Sequence, residues 1–292
     1  MIRRTHTAIP RLLSLCAVTV LSGCSGHMAL LDPKGPIGAN EKTLILTSFA
    51  LMLIVVIPVF VMAFIFPWKY RASNKKATYE PKWAHSTKIE LVVWLVPSLI
   101  VSALGYLVWK DTHQLSPYRP LASAQKPIRI EAIAMDWKWL FIYPDQHIAT
   151  VNKIEFPANV PVNFRLTSDT VMTSFFIPQL GSQIYAMAGM QTQDHLLADQ
   201  PGTYIGRNFQ FSGRGFASMR FQAVATSRQN FQDWVNKIKH SQDTLGLSAL
   251  KKLEKPSTDN PVAYYSSVRP HLFDYIIHKY VASNAAKTKS HT

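Results

Sequence analysis

The sequence predicts a membrane-anchored protein of mixed fold class: a two-helix transmembrane hairpin, an all-β sandwich or Greek-key barrel, and a helical C-terminal arm. Three observations predict this class. Two long uncharged runs lie within residues 43–110, short strand-like runs separated by turn residues fill residues 125–226, and helical apolar spacing dominates residues 227–282. A hydrophobic content of 48% suits a few membrane spans joined to one soluble domain.

The charge and the cysteines exclude two classes of function. The net charge of +14 comes from Lys and Arg spread along the chain, without a helix-turn-helix, finger or RNA-binding signature, so nucleic-acid binding is not predicted. In a membrane protein a basic balance is typical of positive-inside topology and contact with anionic lipid. The only cysteines are Cys16 and Cys24, so the body that follows them has neither a disulfide nor a thiolate-dependent site.

The N-terminus is predicted to be a lipoprotein signal. Residues 1–23 combine basic residues, a short apolar run and small residues, the layout of a secretory signal peptide. They end in Leu-Ser-Gly before Cys24, which resembles the lipobox of bacterial lipoproteins. That resemblance implies cleavage before Cys24, acylation of its thiol and amine (a palmitate modification among them), and loss of Cys16 with the signal peptide. Residues 24–42 would then form a lipid-anchored periplasmic segment.

The two uncharged runs, residues 43–67 and 91–109, predict the two helices of the hairpin, because a span requires ~20 residues and the runs have 25 and 19. Pro58 and Pro97 lie inside them, and membrane helices tolerate proline. The connecting loop has one acid, Glu80, and a clear excess of basic residues: Lys69, Arg71, Lys75, Lys76, Lys82 and Lys88. This excess predicts a cytoplasmic loop, so both the Cys24 end and the C-terminal domain face the periplasm.

Glu90 lies at the cytoplasmic end of the second span, where an ionisable side chain is costly unless it faces water or protein. From the residues alone, two interpretations stay open. Glu90 is either an interfacial charge stabilised by the helix dipole or a functional acid.

The domain at residues 125–226 is predicted to be all-β. Its strand-like runs are separated by turns such as Pro-Asp, Pro-Ala-Asn, Pro-Gly and Ser-Gly-Arg-Gly, and seven or eight strands in roughly a hundred residues favour a sandwich or Greek-key barrel. The runs are residues 128–143, 151–156, 160–167, 175–178, 193–197, 203–211 and 216–225.

The C-terminal arm changes to a helical pattern. Residues 227–240 predict an amphipathic helix, residues 244–254 a second short helix, residues 255–268 an extended segment and residues 270–281 another helix. The tail, residues 283–292, is predicted to be disordered. Such an arm either docks on a partner protein or wraps its own domain, and the pattern leaves both open.

Several stretches carry a resemblance to a known family. They are residues 88–90 (KIE) followed by Pro97, residues 135–139 (MDWKW), residues 174–192 and residues 211–223. Together with the lipobox, the two spans and the barrel, they resemble subunit II of haem–copper oxidases, specifically of the cytochrome o-type ubiquinol oxidases. The resemblance covers almost the whole chain and implies a cupredoxin-like barrel.

In the cytochrome c oxidase relatives this barrel holds a dinuclear copper centre, liganded by two Cys, two His, one Met and a Glu backbone carbonyl. The matching positions here are Thr173, Phe211, Gly213, Gly215, Met219 and Gln222. They offer neither thiolate nor imidazole, so the resemblance implies a barrel that holds no metal. Soft side chains that could hold copper(I) instead are Met172, Met187, Met190, Met219 and His195. In a barrel, such residues more often fill a core or an interface.

The resemblance implies a subunit II of a proton-translocating ubiquinol oxidase of the aerobic respiratory chain, in the bacterial inner membrane. In that family the haems, the oxygen-reducing copper and the quinol chemistry belong to subunit I. This chain would then hold no cofactor and no catalytic centre, and its partners would be subunit I, the other membrane subunits and the bilayer.

Two residues acquire roles by the same resemblance. Glu90 matches a position at the cytoplasmic entrance of a proton pathway into subunit I, and Trp137 matches an aromatic residue that faces the haem subunit, here expected to pack at the subunit contact. Two alternatives remain: a copper-bearing cytochrome c oxidase subunit, which the missing cysteines disfavour, and a stand-alone envelope lipoprotein, which the matched stretches disfavour.

Overall fold

The computed structural model describes residues 28–78 and 80–289, with side chains up to residue 280. The predicted signal peptide and Cys24 lie outside these residues. Two long helices, α1 (Pro36–Lys69) and α2 (Thr87–Gln114), form the hairpin and extend beyond both predicted spans. No residue in their most apolar stretches is buried within the single chain. Such surfaces suit contact with lipid or with helices of other proteins, which confirms a membrane-anchored protein.

The β-domain follows α2 and contains ten strands. They are β1 (Ile128–Met135), β2 (Lys138–Tyr143), β3 (Ile148–Val151), β4 (Lys153–Pro157), β5 (Val162–Ser168), β6 (Thr173–Phe175), β7 (Ile184–Ala186), β8 (Thr192–Leu196), β9 (Gly202–Arg207) and β10 (Arg220–Thr226). The sequence runs predicted most of them. They missed β7 and overlapped β3 and β6 at one residue each, because strands of three or four residues carry too little alternation to be recognised.

The strands form a two-layer barrel with mixed pairing. β1 pairs antiparallel with β2 and parallel with β5, and β10 pairs parallel with β4 and antiparallel with β9. Parallel pairing between strands that are distant in sequence requires the chain to cross between layers, as in a Greek key. The predicted Greek-key barrel is confirmed.

An aromatic cluster fills the space between the layers. Trp139, Phe141, Phe175 and Phe221 are each at most 2% exposed. The ring of Trp139 meets Phe175 edge-on with centroids 5.4 Å apart, and Phe175 stacks on Phe221 at 5.2 Å. Such geometries add to the stabilisation from apolar burial. The two tryptophans of the 135–139 stretch therefore differ, because Trp139 is a core residue and Trp137 is half-buried.

Over the described residues the arm packs against its own domain, which agrees with one of the two alternatives. Helix α3 (Arg228–Lys239) begins at Ser227, whose Oγ accepts a 3.1 Å hydrogen bond from Asn230 N and caps the helix. Its predicted apolar stripe packs against the barrel core. The remaining elements are β11 (Thr244–Leu245), α4 (Leu247–Leu253), β12 (Ala263–Tyr265), β13 (Ser267–Val268) and α5 (Leu272–Lys289). Strand β12 extends the large sheet beside β3.

Helix α5 corrects one prediction. Disorder was expected for residues 283–292, whereas the helix continues to Lys289. Residues 282–289 include three alanines and two lysines and neither Gly nor Pro, so nothing in their composition ends a helix that has already begun.

The barrel is attached to the N-terminal end of α1 and to the C-terminal end of α2. Before α1, Lys34 N donates to Gln179 O at 2.7 Å, and Asp199 N donates to Lys34 O at 2.8 Å. After α2, His195 Nδ1 donates to Pro117 O at 2.8 Å. Gly35 lies so close to the barrel that a Cβ atom there would be 2.2 Å from Leu197 O. The hairpin and the barrel therefore meet along strand β8 and the loop before β7.

Candidate functional site

One end of the barrel is built from the β1–β2 turn and the loop between β9 and β10. Trp137, with φ of 60°, lies in the turn, and its Nε1 donates a 2.9 Å hydrogen bond to Ser212 O in the loop. Cβ atoms built on Gly213 and Gly215 would lie 3.4 Å and 2.3 Å from the Trp137 ring. The absence of side chains at these two positions lets the indole lie flat on the loop.

The six positions that match copper ligands divide into three groups. Thr173 and Met219 are buried, Gly213 and Gly215 lie beneath Trp137, and Phe211 is 73% exposed. Gln222 is exposed on β10, on the opposite face from the buried Phe221 and Ala223.

These residues do not fit a dinuclear copper centre. Neither a thiolate nor an imidazole stands at the six positions, and a side chain at Gly215 would require the Trp137 ring to move. The sulfur of Met219 already accepts a 3.5 Å hydrogen bond from Asn208 Nδ2. Within residues 28–78 and 80–289, no group of three or more His, Cys, Asp and Glu side chains could hold a metal ion.

The copper(I) alternative gains no support from the positions of its residues. Met172 and Met190 are exposed, whereas His195 is buried in β8 and its Nδ1 is engaged by Pro117 O. The carbonyl oxygens of Met187 and Met190 accept hydrogen bonds from Thr167 Oγ1. The absence of a bound metal from the barrel stays a prediction, and it rests on which side chains are present to donate to one.

Asn208 is a central residue of this end that sequence reasoning missed. It is 5% exposed, and its Oδ1 accepts hydrogen bonds from Ser174 N at 2.9 Å, Ser174 Oγ at 3.2 Å and Gln210 N at 2.9 Å. Its Nδ2 donates to Ser212 Oγ at 3.1 Å as well as to Met219. No sequence motif marks it, because its partners lie on β6 and on both sides of the loop.

Large apolar side chains are exposed around Asn208. We call these residues the contact face: Val171 (55% exposed), Met172 (41%), Phe209 (52%) and Phe211 (73%). Two further rings pack against its phenylalanines: Phe176 lies edge-on to Phe209 at 5.3 Å, and Phe216 lies 5.8 Å from Phe211. Clustered exposed aromatic residues on a folded domain are typical of a protein-contact surface.

The neighbours of Trp137 in the 135–139 stretch have structural roles. Asp136 Oδ1 accepts a 2.6 Å hydrogen bond from Thr170 Oγ1. Lys138 is 1% exposed, and its Nζ donates to Leu253 O at 2.8 Å and Lys255 O at 2.9 Å. Burial lowers the pKa of Lys138, and the nearby Asp136 carboxylate acts in the opposite direction. The stretch therefore joins the turn, the β5–β6 loop and the arm.

Glu90 is far from the contact face. It lies in the first turn of α2, exposed within the single chain, with its N–H donating to Ser86 O at 2.9 Å. The barrel follows the other end of the helix, and about 1.5 Å of rise per residue separates Glu90 from Gln114 by roughly 36 Å. The two candidate sites therefore lie at opposite ends of the hairpin.

One buried acid at the junction with the hairpin has a strongly shifted pKa. Asp194 in β8 is 2% exposed, and its Oδ2 has no partner among the described residues. Burial raises its pKa to about 7; the backbone N–H of His195 lowers it, and the carboxylate of Glu41 on α1 raises it further. Sequence reasoning did not single out this residue.

Two family models match the chain. "Cytochrome C oxidase subunit II, periplasmic domain" matches residues 146–226, and "COX Aromatic Rich Motif" matches residues 239–284. Among solved structures, the chain is similar to the periplasmic domain of subunit II of cytochrome oxidase of Bradyrhizobium japonicum. That likeness has 21% identity and a TM-score of 0.37, and covers 45% of this chain and 99% of that one.

Full-length relatives are much more similar. The "Cytochrome bo(3) ubiquinol oxidase subunit 2" of Pseudomonas aeruginosa is 55% identical over 96% of this chain and 84% of its own length. The "Ubiquinol oxidase subunit 2" of Acetobacter aceti is 51% identical over 93% of this chain and 88% of its own length. The "Quinol oxidase subunit 2" of Bacillus cereus is 32% identical over 96% of this chain and 98% of its own length.

Proposed function

Since the chain belongs to the subunit II family of ubiquinol oxidases, we propose that it is the subunit of a respiratory quinol oxidase that holds no redox centre of its own. The complex would transfer electrons from ubiquinol to oxygen and translocate protons. Its haems, its oxygen-reducing copper and its quinol chemistry would reside in the partner subunit I.

The observation that carries the proposal is the end of the barrel around Asn208. The positions at which a copper-bearing relative would need thiolates and imidazoles hold Thr173, Phe211, Gly215 and Met219, and a hydrogen-bond network occupies the space. A copper relay accepts electrons from a water-soluble donor. A quinol is soluble in the membrane and reaches a membrane subunit directly, so the relay is not needed.

The contact face then has a partner of defined chemistry, the part of subunit I that lies outside the membrane. Trp137 supports this face from beneath by its hydrogen bond to Ser212 O, rather than presenting its own ring fully to the partner. The exposed sides of α1 and α2 would pack against lipid and against helices of the other membrane subunits.

The orientation follows from the charges of the loop between α1 and α2. Its basic excess supports a cytoplasmic loop, with the barrel in the periplasm of a bacterial inner membrane. Acylation at Cys24 would hold the segment before α1 at the outer surface of that membrane. Mass spectrometry of the mature protein tests this anchor: an N-terminal peptide that begins at an unmodified residue other than Cys24 contradicts it.

Glu90 would form the entrance of a proton pathway into subunit I. It lies in the N-terminal turn of α2, where a carboxylate can face water at one side and a partner helix at the other.

Deleting the gene tests the proposed function. We expect membranes of the deletion strain to lack assembled quinol oxidase, and the intact gene supplied on a plasmid to restore it. Normal haem spectra and normal ubiquinol-dependent oxygen consumption in the deletion strain would contradict the proposal.

A further inference from the structure

We infer that Asn208 is the positioning residue of the contact face, taking the structural place that a metal holds in copper-bearing relatives. The inference rests on the proposed function, because it assumes that the contact face binds another oxidase subunit. It goes further by naming the group that gives this face its shape.

The loop of residues 208–219 has little regular structure to hold it. Among the described residues, its internal backbone bonds are those of one short 3-10 turn, Phe216–Ser218, and its two ends are joined where Asn208 N donates to Met219 O at 3.2 Å. Side-chain bonds must therefore fix the rest of the loop, since a loop with few fixed bonds opens readily.

The Asn208 amide supplies several of these bonds, beside those from Trp137 Nε1 to Ser212 O and to Ser174 Oγ from Phe209 N and Gln210 N. Its carbonyl oxygen and both of its amide hydrogens are used, so this fully buried polar group has its hydrogen-bonding capacity satisfied. One side chain thereby joins β6, through Ser174, to the start of the loop at Gln210, its middle at Ser212 and its end at Met219.

The strand and the loop that Asn208 joins would also meet at the metal in a copper-bearing relative. Thr173, at the first matching histidine position, directly precedes Ser174, and Met219 stands at the second. A hydrogen-bonded amide in place of a metal ion holds this strand and this loop together without thiolates.

The bonds continue into the contact face. Ser174 Oγ accepts hydrogen bonds from Phe209 N at 2.7 Å and from Gln210 N at 3.1 Å. Asn208 and Ser174 therefore hold the backbone from which the Phe209 ring projects. Loss of either side chain would allow Phe209 to leave its position. The apolar side chains of the contact face would all still be present.

The test uses the full chain with three variants and one control. The variants are Asn208→Ala, Ser174→Ala and the double substitution. Asn152→Gly is the control, because Asn152 is also a buried asparagine, with φ of 57° and hydrogen bonds to Trp139 N and Asn260 O, outside the loop. Amide hydrogen exchange of residues 208–219 is measured on the detergent-solubilised protein, and haem retained per folded chain after affinity purification is measured alongside.

We expect Asn208→Ala and Ser174→Ala each to accelerate exchange in the loop by about tenfold or more and to reduce the haem retained. The double variant should add little, because both residues belong to one network. Asn152→Gly should lower the melting temperature while leaving loop exchange and haem retention near those of the wild type.

Unchanged loop exchange in Asn208→Ala would overturn the inference, as would accelerated exchange with full haem retention. Additive effects in the double variant would also contradict a single network. These outcomes leave the proposed function intact, whereas a wild-type chain that retains no haem would refute the proposed function itself.

Discussion

The ammonium group of Lys138 donates a 2.8 Å hydrogen bond to the carbonyl oxygen of Leu253, 115 residues further along the chain. Lys138 begins β2 and Leu253 ends α4, so this bond ties the barrel to the arm at a helix C-terminus. The last carbonyl groups of a helix lack partners within it, and a buried cation satisfies them well. The arm is thus part of the domain's fold rather than an appendage.

We expect Lys138→Met to lower the free energy of unfolding by about 1–3 kcal/mol, because the buried carbonyls of Leu253 and Lys255 lose their partner. Denaturant unfolding followed by circular dichroism measures the change, and limited proteolysis should cut sooner near residue 255. Lys251→Met, at an exposed lysine on the same helix, is the control. Equal stability of the two variants would show that the Lys138 bonds do not hold the arm.

Asp194 should make stability depend on pH near neutrality. Its pKa is about 7 in the folded protein against 3.8 when unperturbed, so between these values the folded state binds more protons than the unfolded state. Its contribution to stability therefore falls as pH rises towards about 7, and stays constant above.

The variant Asp194→Asn removes this titration. We expect the stability of this variant relative to the wild type to increase by about 1–3 kcal/mol as the pH rises from 5 to 8. The reason is that the wild-type carboxylate must ionise without a cationic partner. Thermal and denaturant unfolding at the two pH values measure the gain, with Asp199→Asn at an exposed position nearby as the control. A constant difference between wild type and Asp194→Asn over this pH range would contradict the assignment.

Glu90→Gln should slow ubiquinol-dependent oxygen consumption several-fold, since a glutamine amide cannot take up and release a proton as a carboxylate does. The complex should still assemble with its normal haem content. Glu80→Gln, in the loop that precedes α2, is the matched control. If turnover of Glu90→Gln equals that of the control, Glu90 is only an interfacial charge stabilised by the helix dipole.

The topology can be tested with single cysteines. In a Cys16→Ser background that keeps the lipobox, Ser73→Cys in the α1–α2 loop should react with a membrane-impermeant thiol reagent only after the inner membrane is opened. Thr203→Cys on the barrel should react in spheroplasts with an intact inner membrane. The reverse pattern would place the barrel in the cytoplasm.

Much of the fold was predictable because it depends on local patterns. The two uncharged runs identify the hairpin, and the spacing of Phe231, Trp234, Val235 and Ile238 identifies α3, since all four are buried. The extent of α5 was underestimated, because a disordered tail and an alanine-rich helix end have similar compositions.

The site was predictable only in part. The missing cysteines predict that the barrel forms no thiolate-bridged copper centre, and that prediction needs only a count of residues. What occupies the space instead could not be derived, because Asn208 and Ser174 are 34 residues apart and meet only in the folded barrel. The buried position of Asp194 is likewise invisible in the sequence, since its neighbour Glu41 belongs to a membrane helix.

Purification through an affinity tag on this chain, in mild detergent, tests the central claim most directly. An optical haem spectrum and copper analysis of the eluate are the measurements. We predict that haem co-elutes with the chain, that the eluate reduces oxygen with ubiquinol, and that it holds no copper beyond that of the oxygen-reducing site. Elution of the chain without haem, or additional copper that stays with the chain after the other subunits are removed, would contradict the account.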